Sequence, residues 1–384
     1  MANYRKSNVV IIGTGIVGCV IAHELAEKGY SVCMYEKRSH IGGNVYDYID
    51  DYGIRVHKYG PHIFHTNDSH VFEYVNNLCC LQEFHLVCGA DIDGKCVPTA
   101  FNYETIDTFF NSEDAKRIKE RLNERYKDKD TVTVLELLEC GDEIIQRYAQ
   151  FLYDKDYSLY SAKQWGCAPE KIDRSIFRRV PIKLSYESGY FTDRYQYMPK
   201  NGYMEFVNNL VNHENISIKT NLDALPFIEI QNDRMTIKGF DSNVKIVYTG
   251  PLDELFECVY GKLPYRSLRF EWKHEYKYSY QSMPVVAYPQ AKDFTRITEY
   301  KKLPIQNVVG TTYAIEYPIA YKKDSDVEPY YPIAGSKNEE LYKKYYNEAR
   351  KYSNLTFCGR LAEYKYYNMD EAIKKALDVS RDFL

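Results

Sequence analysis

The run Val9-Val10-Ile11-Ile12 leads directly into Gly13-Thr14-Gly15-Ile16-Val17-Gly18, and this junction constrains the fold more than any other part of the chain. A short apolar run closed by glycine predicts a strand buried on both faces. The amphipathic stretch from Cys19 to Lys28 predicts a helix that ends at Gly29, and Ser31 to Tyr35 predicts a second strand that delivers Glu36. Strand, glycine turn, helix, strand and acid, in this order, make a dinucleotide-binding βαβ unit. Gly13 permits the tight turn, Gly15 lets the backbone approach a pyrophosphate, and Gly18 lets the helix pack close to the sheet. The helix start at Ile16 and Val17 faces the phosphates, and Glu36 is placed to accept a hydrogen bond from a ribose hydroxyl.

The next residues choose between dinucleotides. Arg38-Ser39-His40-Ile41-Gly42-Gly43-Asn44 puts two adjacent glycines just past the acid. A nicotinamide cofactor has no general need for them there, whereas an extended FAD continues over a second bare loop. The run resembles that of FAD proteins of the amine oxidase and glutathione reductase type. Gly13, Gly15, Ile16, Val17, Gly18, Glu36, Lys37, Gly43 and Asn44 are therefore the candidate FAD-binding residues at this end.

At 384 residues the chain is long enough for two or three domains, and 45% hydrophobic residues permit a well-buried interior. Its net charge of −4 offers no basic excess for a nucleic-acid partner. Ten cysteines form no CxxC and no Cys/His cluster, which predicts reduced thiols in the cytoplasm and neither disulfides nor a metal site. Arg5 and Lys6 ahead of the apolar stretch Val9 to Ala22 imitate a secretion signal, but cleavage there would destroy the nucleotide unit. No other run approaches the ~20 apolar residues of a membrane span.

Apolar spacing predicts helices over Asp114 to Tyr126, Val134 to Leu152, Met204 to Asn212 and Met369 to Phe383. Alternating aromatic texture predicts strands from Phe177 to Met198 and across 265–320, and shorter strands at Ile216 to Lys219, Val244 to Thr249 and Leu355 to Cys358. The expected fold is α/β: an FAD-binding Rossmann-like domain assembled from 1–82, 200–252 and 336–384, with two insertions. One is a helical domain over 103–170. The other is an antiparallel sheet domain from 83–102, 171–199 and 253–335 that carries substrate. No second GxGxxG is present, which argues against a dedicated NAD domain.

Tyr59-Gly60-Pro61-His62-Ile63-Phe64-His65-Thr66 is a rarer signal, with two histidines flanking an apolar pair beside a Gly-Pro turn. It is followed by Gln164-Trp165-Gly166, Arg178-Arg179-Val180-Pro181, Gly189-Tyr190-Phe191, Phe294-Thr295-Arg296-Ile297-Thr298-Glu299, Tyr330-Tyr331-Pro332-Ile333 and Phe357-Cys358-Gly359-Arg360. In that order, from about residue 8 to 380, these resemble the bacterial UDP-galactopyranose mutases.

The resemblance implies an isomerase that interconverts the pyranose and furanose forms of a nucleotide-sugar, with N5 of reduced FAD as nucleophile at the anomeric carbon. By motif match Arg179 and Arg296 clamp the diphosphate, a task for which the planar guanidinium suits paired bonds to phosphate oxygens. Tyr190, Tyr331 and Tyr366 match phosphate-binding tyrosines, Tyr160 and Trp165 match the uridine pocket, and Arg266 and Glu316 match cleft positions. His62 and His65 fall near the flavin, with His65 close to the isoalloxazine or the sugar. Arg360, Met369 and Asp370 belong to the cofactor end. Arg179, Arg296 and His65 are the catalytic candidates. The implied partners are the nucleotide-sugar, an external reductant such as NAD(P)H and a second copy of the chain in a homodimer, with no nucleic acid and no membrane span.

Three segments depart from the family pattern. Tyr364-Lys365-Tyr366-Tyr367-Asn368-Met369-Asp370 has Asn368 where the family usually carries an acid on the sugar side. Pro98-Thr99-Ala100-Phe101 and Lys302-Leu303-Pro304-Ile305 replace other usual runs. Substrate contacts are expected at all three, so the sugar could be UDP-N-acetylgalactosamine or another nucleotide-linked pyranose. An FAD-dependent amine or alcohol oxidoreductase and a non-catalytic FAD or sugar-nucleotide binder share the N-terminal unit. A neutral amine has no use for a diphosphate clamp.

Overall fold

The computed structural model describes residues 8–166, 168–171, 174–178, 180–231, 233–322 and 327–383. Five parallel strands make one sheet, in the spatial order Ile216–Lys219, Val32–Tyr35, Val9–Ile12, Lys245–Tyr248, Leu355–Phe357. Every residue of the central Val9–Ile12 is buried because both faces of the sheet are covered. Helices Ile16–Glu27, Tyr203–Val211 and Met369–Arg381 pack on one face. The hairpin around Met235 and Ile237, the turn at Leu252 and the helix Ser336–Ala349 pack on the other. Gly18 is required by contact: a Cβ there would lie 2.1 Å from the Gly13 carbonyl oxygen. Any other residue would push the first helix off the turn that it follows.

A second sheet has seven strands, in the order Tyr331–Pro332, Tyr265–Glu275, Thr311–Ala320, Arg296–Glu299, Val285–Ala287, Cys88–Ile92, Lys95–Thr99. All pairings are antiparallel except Val285–Ala287 with Cys88–Ile92, which is parallel. Those two strands come from segments far apart in the chain, so no hairpin dictates their direction. The register sets Arg296 directly opposite Glu316.

Helices Tyr103–Phe109, Ser112–Arg125, Val134–Leu138, Glu143–Leu152 and Ser158–Trp165 share a core with Ala90, Ile92 and Val97 of the edge hairpin. One helix predicted over Val134 to Leu152 is in fact two. Gly141, at φ +74°, ends the first, and the Asp142 carboxylate accepts from the N–H groups of Ile144 and Ile145 to start the second. The strands predicted from Phe177 to Met198 are reduced to Ile182–Lys183 and Tyr195–Pro199, after a 3₁₀ turn at Arg174–Arg178. In between, backbone groups bond to other segments, with Leu184 N–H on the Asp130 carbonyl at 2.9 Å and Tyr190 N–H on the Leu86 carbonyl at 2.7 Å. Among the described residues, no helix is long and apolar enough to cross a membrane.

Candidate active site

A cavity of ≈ 270 Å³ opens at the carboxyl ends of the parallel strands. Gly13, Gly15, Ile16, Val17, Gly18, Glu36, Lys37, Gly43 and Asn44 line it, as do His62, Arg360 and Met369. The helix Ile16–Glu27 begins here with no side-chain cap and no acid in its first turn, so its N–H groups and positive dipole end are open to an anion. Glu36 is buried and already accepts from the Thr14 N–H at 2.9 Å, the Thr14 hydroxyl at 2.7 Å and the Arg38 N–H at 2.9 Å. These bonds aim its carboxylate without exhausting its lone pairs. A Cβ on Gly43 would lie 2.7 Å from the Cα of Gly15. The second glycine pair is therefore demanded first by the first loop, against which it packs, and the result is a continuous bare-backbone wall. Open helix end, bare wall and oriented acid together fit an extended flavin dinucleotide.

Arg38 was not among the residues expected here. Its guanidinium bonds the Asn44 side-chain oxygen at 3.1 Å, pairs with Glu328 at 3.0 Å and lies 4.5 Å from the centroid of the Tyr59 ring. Its place two residues after the acid was the signal available. Glu328, which also holds Lys37 at 3.5 Å, had none.

A larger cavity of ≈ 620 Å³ lies between the helical layer, the seven-stranded sheet and the C-terminal segment. It brings together Tyr160, Trp165, Tyr190, Arg266, Arg296, Tyr331, Tyr366, Asn368 and His65. Arg179 lies outside the described residues. Among the described residues four cations, Arg266, Arg296, Arg360 and Lys365, line this cavity against two carboxylates, Asp156 and Glu339, a balance suited to an anionic ligand. Burial works against the Arg296 charge, but Glu316, at 2.8 Å from its Nε, more than offsets this and holds the guanidinium above its ordinary value. Glu316 itself does not line the cavity; it acts through Arg296. Arg266 is buried, and its Nε and Nη2 donate to the carbonyls of Gln164 and Lys163, at 2.9 and 3.4 Å. It thus completes the C-terminus of the helix that carries Tyr160 and Trp165. Burial pushes the Tyr160 and Tyr331 phenols up, which keeps both as neutral donors. Tyr366 stacks on Tyr331 with ring centroids 6.0 Å apart.

His62, Arg360, Asn368 and Met369 line both cavities, so the two meet there. Burial, with Arg360 and Arg296 nearby, pushes His62 down to about 4, and its Nδ1 donates to the Gly60 carbonyl at 2.8 Å. The ring is therefore neutral with Nε2 as an acceptor. His65 is held by Asp193 at 2.9 Å and stacks on Phe191 at 3.8 Å. Arg360 donates to the Tyr367 carbonyl at 2.8 Å. Asp370 lines neither cavity. It sits in the first turn of the helix Met369–Arg381, with one buried carboxylate oxygen lacking a hydrogen-bond partner among the described residues. Of the three segments that depart from the family pattern, Asn368 and Thr99 reach the larger cavity; Lys302 to Ile305 do not, since Leu303 is core and Ile305 is 85% exposed.

The chain resembles known proteins along its whole length. A family model described as UDP-galactopyranose mutase matches residues 155–366, and one for an NAD(P)-binding Rossmann-like domain matches 11–78. The chain is 33% identical to UDP-galactopyranose mutase of Mycoplasma pneumoniae, over 100% of this chain and 97% of that protein. It is 31% identical to dTDP-fucopyranose mutase of Escherichia coli, over 98% of each. A crystal structure of reduced UDP-galactopyranose mutase superposes with a TM-score of 0.69 at 16% identity, over 97% of this chain and 93% of that one.

Proposed function

The chain belongs to the UDP-galactopyranose mutase family, and we propose that it interconverts UDP-galactopyranose and UDP-galactofuranose, an isomerisation without net oxidation, with FAD in its reduced form. The observation that carries this reading is the shared wall of His62, Arg360, Asn368 and Met369, which joins a cavity fitted to a dinucleotide to one lined by cations. Held along the glycine wall and by Glu36, FAD in its reduced form would supply the nucleophile for the anomeric carbon. The chain's own side chains bind, orient and neutralise charge. Arg296, with Arg179 as its partner in the clamp, takes the charge of the departing diphosphate, and Tyr190, Tyr331 and Tyr366 donate to it without adding charge. Tyr160 and Trp165 hold the uridine, Arg266 fixes the helix end that carries them, and Asn368 faces the sugar. His62 offers Nε2 as an acceptor where the cavities meet, and His65 stands beside the sugar. Lys37 completes the cofactor set from the rim, and Asp370, whose side chain lines neither cavity, belongs to it through the backbone donors of the first turn of the C-terminal helix. An external reductant such as NAD(P)H, a homodimeric state and a cytoplasmic location belong to the same proposal; the free thiols of the described cysteines support the last.

The test is a reduced-enzyme assay on UDP-galactopyranose, UDP-N-acetylgalactosamine and a dTDP-linked pyranose, with products separated by chromatography. Absence of any furanose product would end the mutase reading. Peroxide released on addition of an amine would favour the oxidase alternative.

Glu36→Ala is expected to weaken FAD retention by about 1.5–3 kcal/mol, the usual worth of a hydrogen bond to a charged group, with turnover per bound flavin unchanged. Equilibrium dialysis followed by flavin absorbance reads it, and undiminished retention would remove Glu36 from the cofactor site.

Asn368→Asp tests the sugar. The backbone N–H of Asn368 bonds the Glu371 carboxylate at 2.8 Å at a helix start, a position where Asp serves as well as Asn. Stability should hold while the side chain loses its amide donor. The ratio of kcat/KM for UDP-galactopyranose over UDP-N-acetylgalactosamine is expected to rise by about 1–3 kcal/mol. An unchanged ratio would mean that residue 368 does not read the sugar.

A further inference from the structure

Between the helices Glu143–Leu152 and Ser158–Trp165 the chain makes a π turn at Tyr153–Tyr157, with the Ser158 N–H on the Tyr153 carbonyl. Such turns re-aim the residues that they carry and recur at functional sites. This one carries Asp156, which the mechanism above leaves unused. Asp156 lines the ≈ 620 Å³ cavity with Thr99, Tyr160 and Trp165, and it stands four residues, about one helical turn, before Tyr160. Among the described residues no hydrogen bond reaches its carboxyl. Lys163 is the nearby cation, but its amine is spent on the carbonyls of Tyr288, Ala291 and Phe294 at 2.5, 2.7 and 2.8 Å. An acid with no hydrogen-bond partner among the described residues, beside two aromatic faces, lines the cavity that the nucleotide is proposed to fill.

Uracil and thymine present an N–H between two carbonyl oxygens. A neutral carboxyl presents an O–H donor beside a carbonyl acceptor and matches the N–H and one of those oxygens in parallel. An ionised carboxylate would accept the N–H but set its second oxygen against a base oxygen with no proton between them. We propose that Asp156 reads the imide edge of the nucleotide's pyrimidine base, its carboxyl accepting the base N–H and donating its own O–H to the adjacent base oxygen. The inference rests on the nucleotide reading of this cavity.

Burial supports it by pushing the Asp156 carboxyl up to about 7, with Lys163 opposing. Other ionisable groups among the described residues surround it. Tyr157 and Tyr190 are phenols on the cavity wall, and burial pushes the Tyr157 phenol well up. Cys88, on the strand that packs against the π turn, is pushed up to about 12 by burial. Asp293 faces Lys163, and Arg296 and Glu316 neutralise each other. Lys163, pushed down to about 8 by burial, titrates closest to Asp156.

The experiment is calorimetric titration of FAD-loaded protein with UDP at pH 6, 7 and 8. Wild-type affinity, relative to that of Asp156→Asn at each pH, is expected to fall about tenfold from pH 6 to 8 as the carboxyl ionises. The comparison cancels ionisation of the UDP phosphate and of Lys163, since both remain in the variant. Asn keeps an acceptor and a donor, so Asp156→Asn should bind UDP within about threefold of wild type at pH 6, whereas Asp156→Ala should bind about tenfold more weakly. Flavin content and melting temperature confirm that both variants fold. Wild-type protein that binds no UDP would overturn the nucleotide reading, and this inference with it. Wild-type binding with an unaltered Asp156→Ala profile, or with the same pH slope in Asp156→Asn, would overturn this inference alone.

Discussion

Oxidised protein is expected to give no turnover of UDP-galactopyranose, and the same sample reduced with dithionite under anaerobic conditions to form UDP-galactofuranose. A change of ring size consumes no electrons, so a redox requirement can only reflect the need for an electron pair at the anomeric carbon. A competing nucleophile in the protein is His62, which lines both cavities and whose Nδ1 donates to the Gly60 carbonyl, leaving Nε2 as the acceptor. A ring pushed down to about 4 is a weak base, and it would be equally available in either flavin state. Equal rates from oxidised and reduced samples would therefore point to a protein nucleophile and defeat the flavin mechanism. Activity confined to the oxidised state, with consumption of oxygen, would point to an oxidase.

How much of this was legible in the chain depends on whether a feature is local. The strand, glycine turn and helix from Val9 to Glu27 were legible because their glycines answer a contact within the same short stretch, Gly18 against the Gly13 carbonyl. The helix break at Gly141 and Asp142 was a local signal too, but apolar spacing ran through it. Apolar alternation misled from Phe177 to Met198 because Tyr190 and Phe191 face a cavity rather than a sheet. Long-range pairs were not legible. Arg38 meets Glu328 and Arg266 meets the carbonyls of Lys163 and Gln164 only after the layers have packed. The cavity residues Tyr160, Trp165, Tyr190, Tyr331 and Tyr366 were found by motif order alone, since a chain with 39 tyrosines gives none of them individual weight.

Replacing Arg296 with alanine is expected to lower kcat by about 10²–10³-fold with flavin content unchanged, the usual cost of removing a donor to charge that develops in the transition state. The effect has a second component that sequence motifs do not reveal. Arg296 and Glu316 face each other across antiparallel strands, and the Glu316 side chain is only 3% exposed. Removing the arginine leaves a buried carboxylate without its cation, which typically costs about 3–5 kcal/mol of stability. Since Arg296 is itself 25% exposed, the low end of that range applies. The two components separate in the double variant Arg296→Ala with Glu316→Gln. Neutralising Glu316 removes the orphaned charge, so the melting temperature should recover most of what the single variant lost. Turnover should not recover, because a glutamine at 316 restores no cation to the diphosphate. Steady-state kinetics of the reduced enzyme and thermal melts on the wild type and these two variants decide it. If kcat returned together with stability, Arg296 would be a structural partner of Glu316 and not part of the clamp.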